Sequence, residues 1–306
     1  MNRSNKPRDF TIAALGFALL VGGGTAHSVP ISLPVGPLYF QFNNLEQIDR
    51  SLTNSINVPG HGTAGNWGVF NVSTIQMGAV ATPNQDISGG TPFFTDGGIG
   101  GSQVHGIFYG IDLVSGTRAT GGSMDFYWSD AGTIDANCMN GIGCSPNAAT
   151  VAKFTSGIFL AHVDFASGSD PLIATNFLTS STDVTSNLNN GQATGFANVD
   201  AAAGGAWAAA MDGNWFAPTV NGSAVVRDAR FSTFYNSLGN GTWDDPSNSQ
   251  ISGLRSNDPF RVFNVAAVPE PQSLALLGIG LIGMGLVRTR RRIVELPLLN
   301  RTGCEQ

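Results

Sequence analysis

Charge and cysteine are both scarce in this 306-residue chain. Asp, Glu, Lys and Arg together make up 12%, and there are three cysteines and four histidines. Three cysteines rule out a small scaffold knitted by several disulfides. The few charges are also unevenly signed. Between His27 and Val268 there are seven Lys/Arg against seventeen Asp/Glu, a net −10. Such a body lacks the cations that neutralise phosphates, which excludes nucleic acid and disfavours an anionic lipid surface. Motifs of common catalysis are missing too: no G-x-S-x-G elbow, no H-E-x-x-H and no phosphate-binding G-x-x-x-x-G-K loop. No long amphipathic helical pattern occurs, and the apolar run at residues 274–287 is shorter than the about 20 residues a transmembrane helix uses.

What is present is most informative near the C-terminus. Val268, Pro269, Glu270 and Pro271 open a three-part segment, followed by the uncharged apolar run 274–287 and then by Arg288, Arg290, Arg291 and Arg292. Each proline pushes its predecessor towards extended backbone and lacks an N–H, so no helix runs back from here into the preceding domain. The apolar run, as a helix, is about 21 Å long, short for a hydrocarbon core of about 30 Å. Snorkelling arginines at its end extend its reach, giving a weak, short transmembrane anchor.

In order and spacing, Val268-Pro269-Glu270-Pro271, the glycine-spaced helix and the arginine cluster resemble the PEP-CTERM sorting signal of exported bacterial proteins. The resemblance covers about 25 residues. It implies processing by exosortase, an integral-membrane enzyme resembling cysteine transpeptidases, with cleavage near the Pro-Glu-Pro followed by release or transfer of the protein. It further implies a Gram-negative cell envelope and an association with exopolysaccharide, biofilm or floc formation. Family members usually end at the arginine cluster. Here residues 293–306 follow, an expected cytoplasmic tail.

The N-terminus fits export. Arg3, Lys6 and Arg8 form a positive region, residues 12–21 an apolar one, and Gly24-Thr25-Ala26 a small-residue cleavage site. Residues 1–26 are expected to be a signal peptide cut by signal peptidase between Ala26 and His27. The extracytoplasmic body is then 27–267 and the sorting signal 268–292. The positive-inside rule places Arg288, Arg290, Arg291 and Arg292 in the cytoplasm. In an exported body, Cys138 and Cys144, with five residues between them, are expected to form one local disulfide. Its short ring stabilises by about 2 kcal/mol at most. Cys304 lies beyond the arginines and needs no partner.

The body reads as all-β, an antiparallel sandwich-like domain of short strands and Gly/Asn/Asp turns. Residues 38–42 and 67–76 alternate as strands, with a helical turn expected at 44–50 capped by Asn44. Residues 83–101 read as a loop. A hairpin pairs 104–113 with 123–128, placing Met124, Phe126 and Trp128 on one face. Residues 153–165 continue as a strand with Phe159, Ala161, Val163 and Phe165 on one face and His162 and Asp164 on the other. The alanine-rich stretch 201–211 is cut short as a helix by Gly204-Gly205. Strands are expected at 224–235 and 261–266, with 239–259 as a loop between them.

Candidate chemistry is thin. His162 and Asp164 stand two apart on one strand face and so can reach one ion or substrate, and Asp125 also points away from the apolar face of its strand, although alternation alone puts polar residues on an exposed strand face. Asp244-Asp245 and Asp96-Gly97-Gly98 carry calcium-type oxygens but lack calcium-loop spacing, so turn chemistry explains them. Acid pairs are what glycoside hydrolysis uses, and Trp67, Trp128, Trp207, Trp215 and Trp243 are the raw material of a sugar-stacking platform or of a core. The sequence thus indicates no enzyme, no metal and no cofactor. It points to an exported, exosortase-sorted surface or matrix protein of structural or adhesive role, transiently anchored in the inner membrane, with exopolysaccharide as the expected contact. The alternative is a secreted glycan-binding or glycan-active β-sandwich enzyme on the same export route.

Overall fold

The computed structural model describes residues 30–265 except 85, 99–100, 187–189 and 240. Twelve strands run β1 (Gly36–Asp49), β2 (Asn66–Thr82), β3 (Asp86–Thr95), β4 (Gln103–Ser115), β5 (Arg118–Ser129), β6 (Ile158–Ala166), β7 (Asn176–Ser180), β8 (Gly191–Val199), β9 (Thr219–Val220), β10 (Ser223–Ala224), β11 (Ala229–Ser237) and β12 (Ile251–Asn264). Helices are short: α1 (Ala136–Met139), α2 (Ala148–Phe154) and α3 (Ala208–Met211). Among the described residues, none is long and apolar enough to cross a membrane. The two terminal segments read as export signals lie outside the described residues.

Ten strands form one antiparallel sheet in the order β1-β12-β11-β8-β6-β5-β4-β2-β3, with β7 bridging β5 and β8. Because β2 also pairs with β1, from Leu38↔Met77 to Gln47↔Trp67, the strand path returns to its start. Closure leaves β1 hydrogen-bonded on both sides, with β3 paired to β2 at the end of the path, and so limits the open edge that makes sheets prone to aggregate. Opposite walls pack face to face as in a sandwich: Phe126 of β5 meets Phe42 of β1 at 5.8 Å and Phe260 of β12 at 5.5 Å between ring centroids.

Alternation explains this interior. Leu38, Phe40 and Phe42 point inward from β1, Met124, Phe126 and Trp128 from β5, and Leu254, Phe260 and Val262 from β12, all within one buried cluster. The expected hairpin forms with Val104 opposite Trp128. A second cluster lies on the other side of β1, β2 and β4, where Leu45, Trp67, Val69 and Ile107 are covered by α1, α2 and Trp243. The Cys138–Cys144 disulfide ties this cover together. His105 of β4 fastens it to the sheet: its Nδ1 lies 3.0 Å from the Phe154 carbonyl and its Nε2 2.8 Å from Ser129 Oγ. Burial holds its pKa down to about 4, against the pull of the Phe154 carbonyl, so the ring is a neutral latch.

Four local expectations are corrected. The helical turn at 44–50 is instead the second half of β1, because ladders to both β2 and β12 satisfy its backbone. The expected loop 83–101 contains β3, whose Gly89-Gly90 approaches β2 too closely for side chains, a Cβ at Gly90 meeting the Met77 carbonyl at 2.0 Å. Lys153 belongs to α2, not to the following strand, since Asn147 caps that helix through the Thr150 N–H. The loop 239–259 gives way to β12 at Ile251. Pro259, the last residue of that expected loop, faces Gln41 in one ladder, while the ladder to β11 jumps from Phe260 to Asn257. A proline is tolerated where the ladder has that gap.

Candidate functional site

The alternation that buries Phe126 and Val163 turns Asp125 and His162 outward, directly opposite each other in the β5–β6 ladder, with Ser123 opposite Asp164 two pairs along. All three candidates therefore meet. His162 Nδ1 is 2.5 Å from Asp125 Oδ1, and its Nε2 is 3.2 Å from Asp164 Oδ1. Tyr109 donates to Asp125 Oδ2 at 3.2 Å, and Ser123 donates to Asp164 Oδ1 at 2.7 Å. His61 packs its ring on Tyr109 at 4.0 Å.

Burial disfavours the imidazolium, but the Asp125 hydrogen bond and charge, with Asp164, outweigh it and raise the His162 pKa. Burial, then the Asp125 charge, pushes the Tyr109 phenol well up and Tyr127 up to about 12. Chemically this is an imidazole clamped between two carboxyl groups. Both ring nitrogens are engaged, and the hydroxyls of Ser123 and Tyr109 donate to the carboxyl groups. A nucleophile activated by histidine requires the hydroxyl to face the imidazole. Here it faces the acid.

The other candidates disperse. Trp67, Trp128, Trp207 and Trp243 are fully buried, and Trp215 stacks on Phe263 at 4.0 Å. Trp67 packs on Trp243, whose indole N–H donates to the Cys144 carbonyl. They serve packing, not an exposed platform. Asp245 accepts from Ser247 N and Oγ, a turn. Asp244 accepts from Gly253 N and Asp96 from Asn71. Among the described residues no three His, Cys, Asp or Glu gather in a metal-holding group.

The arrangement missed in the sequence is inside the closed sheet. Asn44 and Glu46 of β1 and Asp258 of β12 point inward, beside Thr233 of β11, into a cavity otherwise walled by Phe42, Phe108, Ile111, Met124, Phe165, Leu178 and Phe231. A neighbouring lobe shares Glu46, Ile111, Leu178 and Thr233 and reaches the exposed turn at Thr117 and Arg118. The cavity volumes are about 50 and 70 Å³. Gly68 lets two of these wall residues pack onto the β2 backbone, since a Cβ there would meet Phe108 Cζ at 2.4 Å and Glu46 Cβ at 2.8 Å. Asn44 donates through Nδ2 to Asp258 Oδ2, which also accepts from Ser256 at 3.2 Å. Asn44 Oδ1 is buried without a partner. Burial, eased by a Ser256 hydrogen bond, pushes Glu46 up to about 7. Burial and the Glu46 charge raise Asp258 well above the carboxylate range.

A pH dependence follows, with a definite sign. Below about 4.5 Glu46 is protonated in both the folded and unfolded chain. From there to about 7 the unfolded chain loses the proton and the folded chain keeps it, so stability falls across that window. The expected loss is on the order of 3 kcal/mol. Glu46→Gln should therefore be more stable than the native protein at pH 8, with the difference closing by pH 4, as read from urea midpoints. Parallel profiles would refute the burial of an ionisable group at this position.

Compared with known proteins, residues 267–292 match the PEP-CTERM protein-sorting motif. The chain thus carries a PEP-CTERM signal, which marks an exosortase-sorted exported protein. No curated protein and no solved structure matches it. Val268, Pro269, Glu270, Pro271 and the four arginines fall within the matched segment.

Proposed function

We propose that the body is a structural or adhesive component of the cell surface or extracellular matrix of a Gram-negative bacterium, linked to exopolysaccharide, biofilm or floc formation, and not an enzyme. A signal peptide over residues 1–26 delivers it, and exosortase removes the segment beyond the Pro-Glu-Pro. The observation that carries this reading is the sorting motif at 267–292. It is supported by a body whose outward His162 is held between two carboxylates and whose tryptophans are packed inward. Net negative charge suits contact with acidic polymers through bridging cations.

The test uses a strain lacking the gene, complemented with the native chain or with His162→Ala, Asp125→Asn or Asp164→Asn. Each variant should restore matrix or floc formation to within twofold of native, with export checked by immunoblot. Loss of a general acid or base typically costs about a hundredfold or more in rate. Purified native protein that cleaves polysaccharide, and loses that cleavage in a folded variant of this set, would overturn the reading in favour of a glycan-active enzyme.

A further inference from the structure

We propose that the cavity inside the closed sheet is a binding site for a small primary ammonium with an apolar body. The inference is independent of the sorting signal and of the matrix role. Three observations converge on it. Two carboxyl groups, Glu46 and Asp258, share one enclosed space, and no Lys, Arg or His lines the lobe that holds both. Asn44 lines the same lobe at 3% exposure with its Oδ1 unpartnered, and the carboxyl of Asp258, a residue 8% exposed, stands beside it. The remaining wall is aromatic and aliphatic.

Each observation constrains the ligand. A buried acceptor without a donor calls for a guest rich in N–H groups, because native proteins satisfy nearly all buried polar atoms. An ammonium carries three donors and no acceptor. The cavity offers acceptors to match: the unpartnered Asn44 Oδ1 and the carboxyl groups of Asp258 and Glu46. A positive charge also relieves the repulsion between two buried carboxyls, and charge-assisted hydrogen bonds are the stronger kind. The apolar wall then selects an organic cation over a bare metal ion, which would want six or more oxygens or retained waters. Arg118, the cation nearest the mouth, is engaged by Asp170 at 2.9 Å and does not fill this role. The turn at Thr117 and Arg118, exposed at the end of the second lobe, is the route in.

The experiment is calorimetry on the exported, processed protein at pH 8, using n-pentylamine, n-pentanol of the same length, and calcium chloride. The amine should bind at least tenfold more tightly than the alcohol. Glu46→Gln and Asp258→Asn should each weaken the amine at least tenfold while leaving the alcohol within threefold, with near-ultraviolet circular dichroism showing that the variants are folded. The native comparison decides even where a variant fails to fold. Equal affinity for amine and alcohol would mean a greasy cavity only. No heat with either would mean a cavity holding water alone. Calcium binding that excludes the amine would make it a metal site. Amine binding unchanged in both folded variants would place it elsewhere. Any of these four results overturns the proposal.

Discussion

Replacing Pro269, Glu270 and Pro271 together by alanine is expected to leave the protein unprocessed in the inner membrane. Fractionation should find the variant in membranes at a mass that retains the C-terminal segment, and the extracellular yield should drop at least tenfold. The expectation rests on the motif match at 267–292 and on what the replaced residues do to the chain. Prolines cannot supply backbone donors to a continuing helix, and they hold their predecessors extended, which is the form a processing enzyme needs to reach a peptide bond. Three alanines, the best helix formers, allow the apolar run to extend backwards and draw the bond into helix. Because the body folds from residues at least five positions upstream of Pro269, its own stability should be unchanged. Mass spectrometry of the native product gives the complementary result: an N-terminus near His27 and no peptide from beyond the Pro-Glu-Pro region. Normal release of the triple variant would show that the motif is not what the enzyme reads.

The sorting signal was legible because its chemistry is local: two prolines, an apolar run and an arginine cluster are contiguous and need no partner from elsewhere in the chain. The antiparallel β character was legible for the same kind of reason. Period-two alternation in 123–128 sets Phe126 and Asp125 on opposite faces whatever lies beyond them. It also put His162, Asp164 and Asp125 on the outward side, where the structure joins them. Closure of the sheet was not legible. It depends on β1 pairing with both β2 and β12, and β12 lies more than two hundred residues away in sequence. The inner cavity was hidden by the same non-local pairing. Asn44 and Glu46 resemble a helix start, with Asn44 in capping position, and only the two ladders override that local preference. Asp258 was hidden by Pro259, which reads as a loop residue until the gap in the ladder to β11 is seen. One signal was available: Glu46 is the sole glutamate between His27 and Val268, among sixteen aspartates, and it follows Phe42 and Asn44 at strand spacing.

The largest loss of stability is expected from Trp128→Ala. Trp128 is 1% exposed and stands at the end of the inward row of β5, opposite Val104 and beside Ile158 in its two ladders. Its ring packs on Phe94 at 5.7 Å and Trp207 at 6.3 Å between centroids, which ties β3 and the segment leading into α3 to the central wall. Removing the indole leaves a void that these rings cannot close, since Trp207 is itself held by the bond from its N–H to the Ile31 carbonyl. Truncating a buried aromatic costs about 3–5 kcal/mol. Against a total of about 5–15 kcal/mol for a domain, that is about a fifth or more of what keeps the body folded. The urea midpoint should fall accordingly, and exported yield with it, because the fraction unfolded rises by about two orders of magnitude or more. Phe234→Ala supplies the control, since Phe234 is 51% exposed and its loss should change stability by no more than about 0.5 kcal/mol. If Trp128→Ala fell by less than about 1 kcal/mol, the interior around it would have to be loosely packed.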